Sequence, residues 1–219
     1  MVEENVFYDN CKYEKTKENK FYLFFKRFFD IFASIIGLVL LSPLLLIVSL
    51  LIKLDSKGPV VFSQERVGLQ GQKFNMYKFR SMIVNAEEFK DKLKEKNEMT
   101  GPMFKIKNDP RITKIGKFIR KTSIDELPQL FNVLKGDMSL VGPRPSLPKE
   151  VEEFETWMLE RLKVKPGITC YWQVMGRNSI GFEDWMALDV KYVHDRCILL
   201  DAKLIFKTFF VLFGDENAS

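Results

Sequence analysis

Residues 120–146 read RKTSIDELPQLFNVLKGDMSLVGPRPS, and the meaning of the rest of the chain turns on them. Asp125 and Glu126 are adjacent carboxylates at an expected helix start, and Arg144 follows, held between Pro143 and Pro145. Ser123 with Glu126 three residues on has the spacing of a capping box. Pro128 requires the helix to begin close to Asp125, because a proline deeper inside would lose a hydrogen bond. Asp125 is therefore expected at the positive end of a helix, which favours its anionic form. Two acids in a first turn are common as simple caps. With Arg120, Lys121 and the rigid Arg144 in attendance, they suit a site that handles phosphates and a divalent cation.

The stretch SIDELPQLFNVLKGDMSLVGPRP resembles the core signature of the bacterial sugar transferase family, the monotopic phosphoglycosyl transferases. The resemblance runs from about Lys26 to Phe213, nearly the whole chain. That family moves a sugar-1-phosphate from a nucleotide sugar to a polyprenyl phosphate at the membrane. The resemblance implies that Asp125 attacks the β-phosphate of a UDP-sugar, expels UMP and then passes the phospho-sugar to undecaprenyl phosphate. It also implies Glu126, with Asp125, as ligands of Mg²⁺. Arg120 and Arg144, backed by Lys78, would stabilise the transferred charge.

Composition sets wide bounds. A chain of 219 residues can form one domain with a real core. The formal net charge of +5 suits an anionic membrane surface as well as nucleic acid. Nucleic acid is disfavoured: no recognised binding motif is present, lysines and glutamates are interleaved, and aromatic residues concentrate in apolar runs. Twenty phenylalanines exceed what an ordinary soluble domain needs. Cys11, Cys170 and Cys197 are scattered without zinc spacing, as in a reducing compartment. The single histidine, His194, excludes a His-rich metal cluster, so any metal should be a hard cation on carboxylates.

Three segments organise the chain: a polar extension over 1–20, a membrane element over 21–57, and a cytosolic catalytic domain with interfacial helices over 58–219. No cleavable signal peptide is expected. From Ile31 to Ile52 no residue is charged. As one straight helix that run would reach about 33 Å, enough to span a bilayer core. Pro43 cannot donate to the carbonyl of Val39, so a kink is expected, with the Ser42 hydroxyl able to bond the freed oxygen. Pattern alone fits an ordinary span. Basic residues flank the run on both sides, however, Lys26 and Arg27 before it, Lys53 and Lys57 after it. A span would export one of those flanks, against the positive-inside tendency. A re-entrant helix-break-helix broken at Ser42-Pro43, as the resemblance implies, keeps both in the cytoplasm. This places the protein on the cytoplasmic face of the inner (plasma) membrane.

The remaining segments complete an α+β, mainly helical, membrane-associated monotopic fold. Residues 60–82 predict a small β-hairpin around a glycine turn near Gly71. Lys78 and Arg80 share one face at its end, and the resemblance places that segment at the phosphate site. Residues 87–98 predict a charged, solvated helix, and Asp109-Pro110 a turn. Arg111–Lys121 predicts a basic amphipathic helix whose apolar face suits either the lipid interface or a core. Lys149–Lys163 predicts another, with Val151, Phe154, Met158 and Leu162 inward. The stretch KPGITCYWQVMGRN is similar to the family's nucleotide-proximal segment, in which Gly-Arg-Asn follows a Gln-Val strand. Gln173, Arg177 and Asn178 are the donor-site candidates it implies. Residues 201–213 suit an interfacial helix. The long segment 96–113 is like that of exopolysaccharide-initiating members and points to glucose or galactose, with an N-acetylated amino sugar left open. A homodimer is compatible with the sequence. A non-enzymatic membrane-anchored adaptor is the rival reading; for it the acid pair and Arg144 would be dispensable.

Overall fold

The uncharged apolar run is carried by α1, Lys20–Asp55, as one helix of 36 residues that continues through Ser42-Pro43, where two helices separated by a break were expected. The computed structural model describes residues 19–86, 88–89, 106, 109–176 and 180–214. The expected N-terminal extension, most of the charged stretch 87–98, and Arg177 and Asn178 lie outside them. Asn19 caps α1 by accepting the Tyr22 N–H at 3.2 Å. Pro43 lies inside the helix, and the Val39 carbonyl takes the Ser42 hydroxyl at 2.8 Å instead of a backbone donor. α1 is long and apolar enough to cross a membrane, and Leu40, Leu46 and Leu54 on it are largely exposed.

Charged side chains fasten α1 to the remainder of the molecule. Lys26 pairs with Asp201 at 2.7 Å and donates to the Val141 carbonyl at 2.9 Å. Arg27 donates to the carbonyls of Val133 and Leu134 at 2.6 and 2.8 Å. Asp30 accepts from the Leu140 N–H and the Ser139 hydroxyl at 2.9 and 3.1 Å. At the other end the Asp55 carboxylate accepts the Ile115 N–H at 3.0 Å.

Strands β1 (Val61–Val67) and β2 (Lys73–Phe79) form the expected antiparallel hairpin, with Val61 opposite Phe79. Its turn contains Gly71 at φ 77°, a conformation glycine adopts without strain. Helix α2 (Lys114–Lys121) starts after Thr113, whose hydroxyl accepts the Gly116 N–H at 3.0 Å. Arg111, expected within this helix, precedes it, paired with Asp109 at 2.6 Å. Core packing claims the apolar face: Ile115 and Ile119 sit with Val48, Ile52 and Phe79, leaving Phe118 exposed. Helix α3 (Gln129–Lys135) then leads to β3 (Ser139–Val141), which pairs in parallel with β4 (Gly167–Thr169).

Two expectations fail on the segments between and after those strands. The continuous helix over 149–163 divides into α4 (Pro148–Glu152) and a 3₁₀ segment, Met158–Lys163. Its apolar residues serve different neighbours: Val151 and Leu162 join Val67, while Met158 joins Trp185 and Met186. One straight helix would not meet both. The Gln-Val segment is a helix, α5 (Tyr171–Met175), not a strand, because Trp172 turns to stack on Trp185 with ring centroids 4.6 Å apart. Helices α6 (Phe182–Asp195) and α7 (Ile198–Gly214) close the fold, α7 burying Leu204 and exposing Phe206, Phe209 and Phe210. The described residues form a mainly helical α+β structure with one small antiparallel hairpin.

Gly116 is the tightest crossing, since a Cβ there would lie 1.9 Å from the Ser81 carbonyl oxygen. Gly116→Ala should push α2 off the hairpin end at a cost of about 1–3 kcal/mol, seen as a fall of several degrees in the thermal unfolding midpoint. An unchanged midpoint would contradict this packing.

Candidate active site

Ser123 does not cap a helix. It sits in the left-handed region at φ 55°, and Ile124–Glu126 form a single 3₁₀ turn. Glu126 N–H bonds the Ser123 carbonyl at 3.2 Å, and α3 begins only at Gln129, after Pro128. The turn is set by Ile124, which packs onto the cluster of Val48, Ile52, Phe79 and Ile119. The expected helix start at Asp125 is therefore wrong, and with it the stabilisation of its anion by a helix end. Asp125 is buried, 8% exposed. Burial pushes its carboxyl up to about 6, against Lys78 and helped by the Glu126 charge, with Arg120 and Arg144 pulling it back.

Glu126 has the opposite character. Its Oε1 receives Lys78 Nζ from β2 at 2.6 Å and Arg144 Nη2 at 2.9 Å. Burial alone would raise its carboxyl, but Arg144 and Lys78 hold it well below the usual carboxylate range. Burial in turn lowers the Lys78 ammonium while Glu126 supports it. Two neighbouring carboxyls with acidities driven apart can divide their work, one permanently charged and one near its titration point at physiological pH.

Arg144 reaches Glu126 from a loop whose prolines offer no N–H, so the loop is held through its carbonyls. Arg161 donates to the Arg144 carbonyl at 2.5 Å and to the Ser146 hydroxyl. Arg66 donates to the Pro145 carbonyl at 3.1 Å, and the Val67 N–H to that of Ser146 at 2.9 Å. Neither arginine is visible as a site residue in the sequence. The signal available was indirect: a Pro-x-Pro segment needs outside donors.

The other sequence candidates separate. Arg120 is half-buried at the end of α2 and bears on both Asp125 and Asp109. Arg80 is not at the site. Its guanidinium caps the end of α1, donating to the Ser56 and Lys57 carbonyls at 2.7 and 2.9 Å. Gln173 is buried and donates to the Ile168 carbonyl at 3.4 Å. Glu126 Oε2 has no protein partner among them. A hard cation that takes one or two carboxylates, and otherwise water and substrate phosphates, fits this pair. No group of three or more His, Cys, Asp or Glu side chains among the described residues could hold an ion by itself.

A family model described as Bacterial sugar transferase matches residues 21–215. The chain is 52% identical over 198 residues to "Galactosyl transferase CpsE" of Streptococcus agalactiae, covering 88% of this chain and 44% of that protein. It is 44% identical over 199 residues to "Undecaprenyl-phosphate galactose phosphotransferase" of Salmonella typhimurium, covering 89% and 42%. It is 38% identical over 187 residues to "Exopolysaccharide production protein ExoY" of Rhizobium meliloti, covering 84% and 83%. The chain thus spans less than half of the first two relatives and most of the third.

Because the fold raises the Asp125 pKa above its unfolded value of about 3.9, ionising this group costs stability as pH climbs from about 4 through 6. Asp125→Asn escapes that cost. At pH 8 it should exceed the parent protein in unfolding free energy by on the order of 1–3 kcal/mol, a gap that closes towards pH 4. A variant no more stable than its parent at pH 8 would refute the assigned burial effect.

Proposed function

The chain belongs to the bacterial sugar transferase family, and from that premise we propose that it transfers a sugar-1-phosphate from a UDP-sugar to undecaprenyl phosphate, releasing UMP. The observation that carries this is the acid pair of unlike character, Asp125 raised to about 6 beside Glu126 ion-paired to Lys78 and Arg144. The relatives' names support the substrate class: two specify galactose or galactosyl transfer, and one of these names undecaprenyl phosphate. A neutral hexose, galactose or glucose, is the proposed cargo, and the first membrane step of polysaccharide assembly the proposed setting.

An Asp125 oxygen attacks the β-phosphorus, and the bond from that phosphorus to the bridging oxygen breaks as UMP leaves with the electron pair. The phospho-sugar stays on Asp125 as an acyl phosphate. An oxygen of undecaprenyl phosphate then attacks the same phosphorus, and the Asp125 carboxylate departs unchanged. Splitting one displacement into two suits a carboxyl more basic than usual, which stays ionised at neutral pH yet is a stronger nucleophile than an ordinary aspartate. Arg144 and Lys78, already placed at Glu126, and Arg120 at the end of α2 meet the charge of the diphosphate. Glu126, with Asp125, would hold Mg²⁺, which when bound would neutralise phosphate oxygens. The adaptor alternative leaves unexplained why two cations are committed to one half-buried carboxylate.

The polyprenyl substrate cannot leave the bilayer, so the carboxylate must lie at headgroup depth. We read α1 as re-entrant, entering and leaving on the cytoplasmic face. The basic residues at both its ends support that, as do the bonds that fasten Lys26, Arg27 and Asp30 at one end and Asp55 at the other to one domain.

With UDP-galactose, UDP-glucose, UDP-N-acetylgalactosamine and UDP-N-acetylglucosamine offered in turn, together with undecaprenyl phosphate and Mg²⁺, UMP should appear most readily with a neutral hexose. Asp125→Asn should abolish both UMP release and covalent labelling by donor, and full activity in that variant would end the nucleophile assignment. In sealed inverted vesicles, cysteines placed at Lys20 and at Lys57 should both react with an impermeant maleimide added outside; protection of either one would favour a span.

A further inference from the structure

Arg161 is 2% exposed, and it belongs to none of the elements that supply the acid pair or its cations. Its Nη2 donates to the Arg144 carbonyl at 2.5 Å and also lies 2.7 Å from Asp189 Oδ2 on α6; its Nη1 reaches the Ser146 hydroxyl. The rings of Phe154 and Trp185 face the guanidinium, 5.5 and 5.7 Å from its carbon. A fully buried ion pair is an inefficient way to stabilise a fold, because desolvation consumes most of the attraction and apolar replacements often do as well. The geometry shows what the pair does instead. Asp189, 0% exposed, orients a planar fork whose two outer nitrogens grip the backbone of Arg144 and the side chain two residues on. Pro143 and Pro145 cannot donate, so the loop is held by outside donors: Arg66 at Pro145, the Val67 N–H at Ser146 and the Gly167 N–H at Pro143. Arg161 completes the set, and it alone among these grips the carbonyl of Arg144 itself, whose side chain reaches Glu126 2.9 Å away.

We propose that Arg161, oriented by Asp189, is a positioning residue for Arg144, fixing the backbone from which that guanidinium serves the acid pair. The proposal rests on the transfer reaction above for its consequence in activity, and on the structure alone for the order it imposes on the loop. Replacing Arg161 by lysine keeps a charge beside Asp189 but lacks the planar fork that reaches the Arg144 carbonyl and the Ser146 hydroxyl from two nitrogens.

The test is a double-mutant cycle on the full chain in detergent, following UMP release from UDP-galactose and UDP-glucose. Arg161→Lys should lower kcat/KM about tenfold or more, the scale expected of a misplaced catalytic group. In an Arg144→Ala background the same change should cost less than about twofold, because the group it positions is gone. Losses that multiply, or an Arg161→Lys enzyme equal to its parent, would overturn the proposal. Ser146→Ala removes one acceptor without disturbing the buried ion pair, so it decides the matter if Arg161→Lys does not fold. It should give a smaller loss that also vanishes with Arg144→Ala, and a loss that persists there counts against the proposal. A readout independent of activity uses Arg144→Cys with Cys11 and Cys197 replaced by serine. Its maleimide labelling should quicken several-fold when Arg161→Lys or Ser146→Ala is added, and equal rates refute the positioning. Absence of UMP release by the parent protein would instead count against the transfer reading, leaving the labelling rates to judge the loop.

Discussion

Glu126 receives Lys78 from 48 residues before it and Arg144 from 18 residues after it on the same oxygen. Three segments distant in the sequence thereby converge on one carboxylate: a hairpin strand, a 3₁₀ turn and a proline-bounded loop. An exposed ion pair would contribute little. Here the groups are largely withdrawn from water, with side chains 17%, 20% and 28% exposed for Lys78, Glu126 and Arg144. Removing Glu126 would leave Lys78 and Arg144 facing each other without the carboxylate they share. The arrangement therefore constrains geometry more than it stabilises the fold. It also sets the electrostatics of Asp125, whose neighbour is fixed in the charged form.

A second layer of constraint lies behind the first. The hairpin that carries Lys78 leads into Arg80, which binds the Ser56 and Lys57 carbonyls just past α1, and also carries Arg66, which holds Pro145. Helix α2 is joined to α1 through Asp55 and Ile115, and α2 leads directly into the turn that bears Asp125. The apolar helix is thus no detachable anchor, because the site is assembled on its two ends.

Much of this was legible in the sequence, and the misses have physical causes. The apolar run, the Ser42 hydroxyl acting for Pro43 and the hairpin around Gly71 follow from local chemistry, whereas the grouping of Lys78 with Glu126 and Arg144 came only with the family resemblance. The capping box at Ser123 failed because a tertiary contact, Ile124 on the α1 and β2 cluster, outweighed a spacing rule. The long helix over 149–163 failed for a related reason, its apolar residues being divided between two clusters. Arg80 looked like a phosphate ligand because it shares a strand face with Lys78 in a segment that the family resemblance places at the phosphate site. Which carbonyls lie nearby is a fact of the fold that no pattern records. Arg161 was invisible for the same reason.

The two-ended attachment of α1 bears on how the lipid-borne acceptor proposed above would be met. Lys26, Arg27 and Asp30 grip one half of the helix, and Arg80 and Asp55 grip its exit. A body clamped at both ends of its own mast cannot swivel about it, so the angle between the apolar helix and the acid pair is settled when the chain folds. Under the proposed transfer, an acceptor confined to a leaflet would need only a two-dimensional search to meet that carboxylate.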